Sequence, residues 1–363
     1  NIISAHLQPD PDDIIEIMSD LVGAEQLILM KNGQGRFYNP AFNFNNIPGW
    51  RVNEGYMVNV DGDAEMTISG IPVNADTPLP LAEGWQIVSY YPRQGIDAIV
   101  AFTGVVEVLL MAKDAAGRFY NPEFNFSNMG DLQPGQGYLV NVSEAVELVY
   151  TLDDDLASTP PDNFDQPHFL PIHANTGENM SMLVLSNNLE GEIGIYSDGI
   201  LVGSGVIQDG RCGIAVWGDD QTTPEVDGAV ENRPLEFIFA DEHGTRQAQI
   251  DFIIGSGQYF VDDFQAVRLD EVELMPDEFG IVSAYPNPFN NRTVIQYNLP
   301  EACNLKIKVI NVLGESVTNL FEGGAEVGMH SIDFNASNLA SGIYYVKLNS
   351  DKSSSTRKIV LIR

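Results

Sequence analysis

The residues best placed to bind a metal are three aspartates in the loop WGDDQTTPEVDGA, residues 217–229: Asp219, Asp220 and Asp227. Carboxylate oxygens are the ligands that calcium takes, so these three form a candidate calcium site. Their spacing is not that of an EF-hand loop, and an acidic loop containing Pro and Gly needs no ion. A second candidate is aromatic. Phe37, Tyr38, Phe119 and Tyr120 could present flat faces to sugar rings as a glycan platform. The simpler reading is a strand followed by a proline-fixed corner whose rings fill a core. Phe42 and Phe44 alternate as residues of a buried strand face do.

Other chemistry is hard to find. The histidines, His6, His168, His173, His243 and His330, are scattered and form no HExxH. Neither VGSGV (202–206) nor IGSGQ (254–258) fits a nucleophile elbow. No phosphate-binding glycine loop occurs. With 51 carboxylates, acid pairs arise by chance, and none can be singled out as a glycosidase pair. Cys212 and Cys303 fall in separate predicted domains, so no disulfide is expected, and there is no CxxC. The expectation is a protein that is not an enzyme and needs no cofactor, calcium being the one candidate.

The elements that must carry these residues begin with a repeat. GRFYNPAFNFNN (35–46) returns as GRFYNPEFNFSN (117–128), and GYMVNV (55–60) as GYLVNV (137–142). Upstream, NIIS aligns with QIVS (86–89), and the second copy is three residues shorter. The stretch equivalent to Leu81–Trp85 has no counterpart before Asn1, which suggests a truncated first copy preceded by a leader. Short apolar runs such as QLILMK and EVLLMAK predict strands. In the first copy a helix is expected over 11–22, capped by Asp10, with Pro11 in its first turn. Two modules result, 1–75 and 76–150.

TLDDDLASTPPDNFDQP (151–167) is acidic and proline-rich and reads as a linker. Strand-like runs then fill 168–275, with SDG and DEHG as hairpin turns, predicting a β-sandwich. A last module, 276–363, alternates Lys306 and Lys308 with Ile307 and Val309. IYYVKL is expected to pair with the closing RKIVLIR. The fold class is therefore mainly β, a multidomain string of Ig-like sandwich modules.

Charge is uneven. The net charge is −33, and all of it lies in residues 1–276, with 10 basic and 43 acidic residues. Such a surface repels phosphate backbones and argues against nucleic acid as a partner. No apolar run is long enough for a transmembrane helix.

The closing 80 residues carry a resemblance. Tyr285-Pro286-Asn287-Pro288-Phe289, Val312-Leu313-Gly314-Glu315, Leu339-Ala340-Ser341-Gly342-Ile343-Tyr344 and Arg357-Lys358-Ile359-Val360-Leu361 occur in that order. This segment resembles the type A C-terminal sorting domain of the type IX (Por) secretion system of Bacteroidetes-like bacteria. The resemblance implies an Ig-like domain read by an outer-membrane translocon, with Tyr285, Pro286, Asn287, Pro288, Gly314, Gly342, Tyr344 and Lys358 as motif positions. It implies a secreted or cell-surface protein. Two roles are open for the rest. One is a non-catalytic structural or adhesive part of an extracellular layer or filament, with self-association by strand addition. The other is a carbohydrate-binding accessory of a larger exported hydrolase.

Overall fold

Each residue of the doubled phrase has a backbone task. The side-chain oxygen of Asn32 accepts the N–H groups of Gln34 and Arg36, and Asp114 does the same for Ala116 and Arg118. Gly35 and Gly117 then sit at φ +74° and +77°, where a side chain would be strained. Asn39 caps a single 3₁₀ turn, Pro40–Phe42, by accepting the Phe42 N–H at 3.3 Å, and Asn43 ends it in the left-handed region. Asn121 and Asn125 repeat this. Asn46 and Asn128 accept the Phe37 and Phe119 N–H groups at 2.6 and 2.7 Å.

The computed structural model describes residues 1–151, 168–170, 176–220, 225–241, 244–274, 279–325 and 327–362. Most of the predicted linker, the centre of the DEHG turn, His173 and His243 lie outside them. The protein is mainly β. No helix among the described residues is long and apolar enough to cross a membrane.

The chain forms two compact units. One comprises Asn1–Ser186, Gly194–Glu236 and Phe252–Arg268, the other Asn187–Ile193, Phe237–Asp251 and Leu269–Arg363. In the first unit both repeats build a five-stranded sheet in the same order. The first runs Ile2–Ile3, Tyr56–Val60, Leu27–Asn32, Phe37–Asn39, Phe44–Asn45. The second runs Gly84–Ser89, Gly137–Val142, Leu109–Lys113, Phe119–Asn121, Phe126–Ser127. Met30, Tyr38 and Val58 stand in register on one face and pack with Ile14, Met18 and Leu21. Their counterparts Ala112, Tyr120 and Val140 pack with Ala98, Ala101 and Phe102.

The helical expectation needs correction. Asp10 is not the cap: the Asp13 carboxylate accepts the Glu16 N–H at 3.0 Å, and the helix divides into Ile14–Ile17 and Ser19–Gly23. The second repeat also has a helix, Ala98–Ala101, capped by Asp97. It was missed because four residues are too few to show a helical period.

The repeats meet through matching contacts. Ile3 bridges Gln136, and Val88 bridges Glu54. These are equivalent pairs with the repeats exchanged, as in an isologous two-fold interface. Gly55 and Gly137 line it, and a Cβ at either would fall within 3.0 Å of an isoleucine side chain and a backbone oxygen of the opposite strand.

Downstream, Asn179–Leu185 pairs antiparallel with Arg211–Trp217, and its residues 181–185 run parallel to residues 264–268. The SDG turn is present, with Asp198 and Gly199 at φ +48° and +82°. In the second unit, residues 238–241 and 244–247 form a hairpin. The terminal module is a sandwich of a three-stranded and a four-stranded sheet. Ile307 and Val309 point into its core, and Gly342–Asn349 pairs with Ser354–Leu361 in register.

Candidate functional site

The terminal module joins its first and last motifs into one structure. Asn287 accepts the Val360 N–H at 2.9 Å and donates to the Lys358 carbonyl at 3.2 Å. Phe289, 2% exposed, donates its N–H to Val360 and accepts that of Ile362. Thr293 donates its hydroxyl proton to the Pro286 carbonyl at 2.8 Å. Motif positions 285–289 are therefore tied to 358–362 by side-chain and backbone hydrogen bonds, a pairing that spacing along the chain does not reveal. Gly314 closes the hairpin at φ +81°, while Asn311 accepts the Leu313 and Glu315 N–H groups. Tyr344 lies in the core and donates its hydroxyl to the Ala340 carbonyl, fixing the turn before Gly342. Among the motif residues, Tyr285 and Leu313 are each 78% exposed.

The aromatic quartet divides. Tyr38, Phe119 and Tyr120 are buried, so they offer no face to a sugar. Phe37 is half-buried and packs on Phe44 in a tilted pair, ring centroids 4.9 Å apart. The expectation that Phe42 and Phe44 lie on a buried face also fails in the first repeat, where they are 81% and 43% exposed. Their equivalents Phe124 and Phe126 are covered, because the second repeat's outer face carries a sheet. There Phe119, Phe126 and Met111 pack on Leu183 and Ala266, with Phe264 beside them.

Lys113 lies in this contact, its side chain 1% exposed. Its ammonium meets Asp262 at 2.8 Å and lies 4.8 Å from the Trp85 ring centroid. Burial lowers its pKa, and Asp262 only partly offsets that. No sequence motif signals this pair, because its partners are 149 residues apart.

Two of the three aspartates bond backbone of their own loop. Asp219 accepts the Asp227 N–H at 2.9 Å, and Asp227 accepts the Asp220 N–H at 3.1 Å. Residues 221–224 of this loop lie outside the described residues. Among the described residues no group of three or more His, Cys, Asp or Glu side chains is placed to hold a metal ion. The Asp219 and Asp227 carboxylates thus satisfy backbone N–H groups of the loop itself.

A cleft of about 370 Å³ opens in the first repeat, lined by Gln8, Asp12, Trp50 and Arg51 among others. Gln8 donates to the Trp50 carbonyl and accepts the Val52 N–H, so its amide is structural. Asp12 is the one carboxylate in the lining. Hydrolysis of a glycoside by the usual routes takes two.

Residues 283–362 match the family described as the secretion system C-terminal sorting domain. No curated protein matches the chain significantly. Among solved structures, similarity is found to dimeric latent PorU from Porphyromonas gingivalis, at 9% identity and TM-score 0.20. That match covers 88% of this chain and 36% of PorU, so the chain spans about a third of its length. Similarity is also found to a Dscam isoform, at 9% identity, TM-score 0.18 and coverage of 93% and 92%. The N-terminal four Ig domains of Dscam1 isoform 6.44 match at 13% identity, TM-score 0.16 and the same coverage.

Proposed function

We propose, from the premise that residues 283–362 are a type IX sorting domain and the protein is therefore exported, that the preceding modules act outside the cell as a non-catalytic structural or adhesive array. The observation that carries this reading is the use made of the repeated residues. Asn32, Asn39, Asn46 and their counterparts accept backbone N–H groups. Their side chains are spent on holding turns. The matched contacts between repeats support the same reading, since a fixed relation between modules is what an extracellular scaffold requires. The single carboxylate in the cleft supports it further.

The purified chain is expected to bind immobilised cell-surface material or to assemble, and to release no product from glycan, ester or peptide panels. Turnover in any panel that Asp12→Asn abolishes would overturn the non-catalytic reading. Self-association by strand addition belongs to the same proposal, and sedimentation velocity over a concentration series tests it.

A further inference from the structure

The outer face of the first repeat is a second copy of a face whose occupant is visible. In the second repeat, Met111, Lys113, Phe119, Phe124 and Phe126, with the Gly117 turn, seat the sheet formed by residues 179–185, 211–217 and 264–268. The fit is close. A Cβ at Gly117 would come 2.4 Å from the Ala215 Cβ, and one at Gly213 would come 2.5 Å from the Phe126 ring. Asn128 donates to the Gly213 carbonyl at 3.1 Å, and Lys113 reaches Asp262. The first repeat holds Leu29, Lys31, Gly35, Phe37, Phe42, Phe44 and Asn46 at these places, a single change of Met to Leu. Phe42, Phe44 and Lys31 are exposed there.

We propose that this face docks an apolar β-sheet of another protein. The partner sheet would have small residues at alternate positions of one strand, to admit the Gly35 turn and the Phe44 ring, and a carboxylate for Lys31. The second repeat shows that these seven residues, with Trp85 beside them, accept such a sheet; Trp85 is the one member of the contact without a counterpart among residues 1–75. A second copy of this chain is the poorer occupant. Each copy carries one such sheet, already seated on its own second repeat, and handing it to a neighbour replaces one contact with an equal one. A distinct partner adds a contact without losing any. Exposed phenylalanines around a basic centre, on a chain otherwise strongly acidic, match an apolar partner that brings the missing carboxylate. The inference deepens the structural reading above, but its test reads a binary complex and no adhesion or secretion, so the two can fail separately.

The probe is this chain carrying Phe126→Asp, which places a carboxylate against Gly213 and unseats its sheet. Lys113→Glu, which opposes like charges at Asp262, is the second variant. Each is mixed with wild-type chain and followed by sedimentation velocity. The expected result is a complex with wild type that weakens at least tenfold when the wild-type partner carries Phe44→Asp. A folded variant that forms no complex overturns the proposal. So does wild-type chain that dimerises alone through Phe44, which would make the occupant a second copy. Should both variants unfold the sheet, Met111→Leu gives the second repeat the one residue in which the two sets of seven differ. An unchanged unfolding midpoint with one cooperative transition is expected, and early separate melting of the seated sheet overturns the proposal.

Discussion

The Ser89 hydroxyl donates to the Glu54 carbonyl at 2.7 Å, and its counterpart Ser4 donates to Gln136, the counterpart of Glu54, at 2.5 Å. One hydrogen bond thus occurs twice with the repeats exchanged. Tyr90 adds its N–H to the Ser4 hydroxyl at 3.1 Å. A duplicated module that binds its own copy in this way converts sequence repetition into a fixed geometry.

The glycines at this interface should be intolerant of bulk. Gly55→Val would press a Cβ to 2.7 Å from Ile87 Cγ2 and 3.0 Å from the Val88 carbonyl. A loss of about 1–3 kcal/mol is expected, as for overpacking generally. Gly23→Ala, at a helix end with nothing within 4 Å, should be neutral or slightly stabilising. Denaturant midpoints of the two variants check both statements.

Lys113 and Asp262 should respond asymmetrically. Lys113→Met replaces a buried cation with an apolar chain and should change stability by no more than about 1 kcal/mol. Asp262→Ala removes the carboxylate but leaves the ammonium its contacts with Asn179 and Trp85, and because Asp262 is 42% exposed the loss should be about 1–2 kcal/mol. The pH dependence follows from the lowered pKa. Between the folded value and the ordinary 10.5, the unfolded chain binds the extra proton, so this group makes stability rise with pH across that window. Below the folded value the penalty is constant. Comparing unfolding of wild type and Lys113→Met from pH 7 to 10.5 should show this contribution vanish in the variant.

The two free thiols should differ in reactivity. Cys212 is buried, and burial pushes its thiol up to about 12. Cys303 is half-buried, its thiol raised less. Since the thiolate is the nucleophile, a disulfide reagent at pH 8 should modify Cys303 in the native protein and Cys212 only after unfolding. Mass spectrometry of the labelled peptides distinguishes the sites.

In the sorting domain, shape and surface should separate. Asn287→Ala removes both bonds to the last strand and should cost about 1–3 kcal/mol. Leu313→Ser alters an exposed hairpin tip and should leave stability within about 0.5 kcal/mol. If the translocon reads this tip, Leu313→Ser lowers export while its melting curve stays that of the wild type.

How much was legible in the sequence follows from how local each feature is. The strands around Ile307 and Val309 and the terminal hairpin were readable because a period of two and a turn lie within a few residues. The corner at Asn39-Pro40 was readable as structure for the same reason. Phe42 and Phe44 were misread because burial there depends on whether a sheet some 140 residues onward lands on that repeat or the other. Lys113 gave no signal, since a lysine at the end of an apolar run, before Asp114, looks like an exposed strand end until Asp262 is brought to it. The helix cap was placed at Asp10 rather than Asp13 because three aspartates precede the apolar residues and only geometry shows which carboxylate meets an N–H.

The central claim is that the modules before residue 283 are carried out of the cell by the domain that follows. Surface labelling of intact cells with a functional type IX pathway, expressing the chain with or without residues 283–362, tests it most directly. The account predicts surface or medium signal for the complete chain and periplasmic retention of the shortened one. Equal surface signal from both would contradict it.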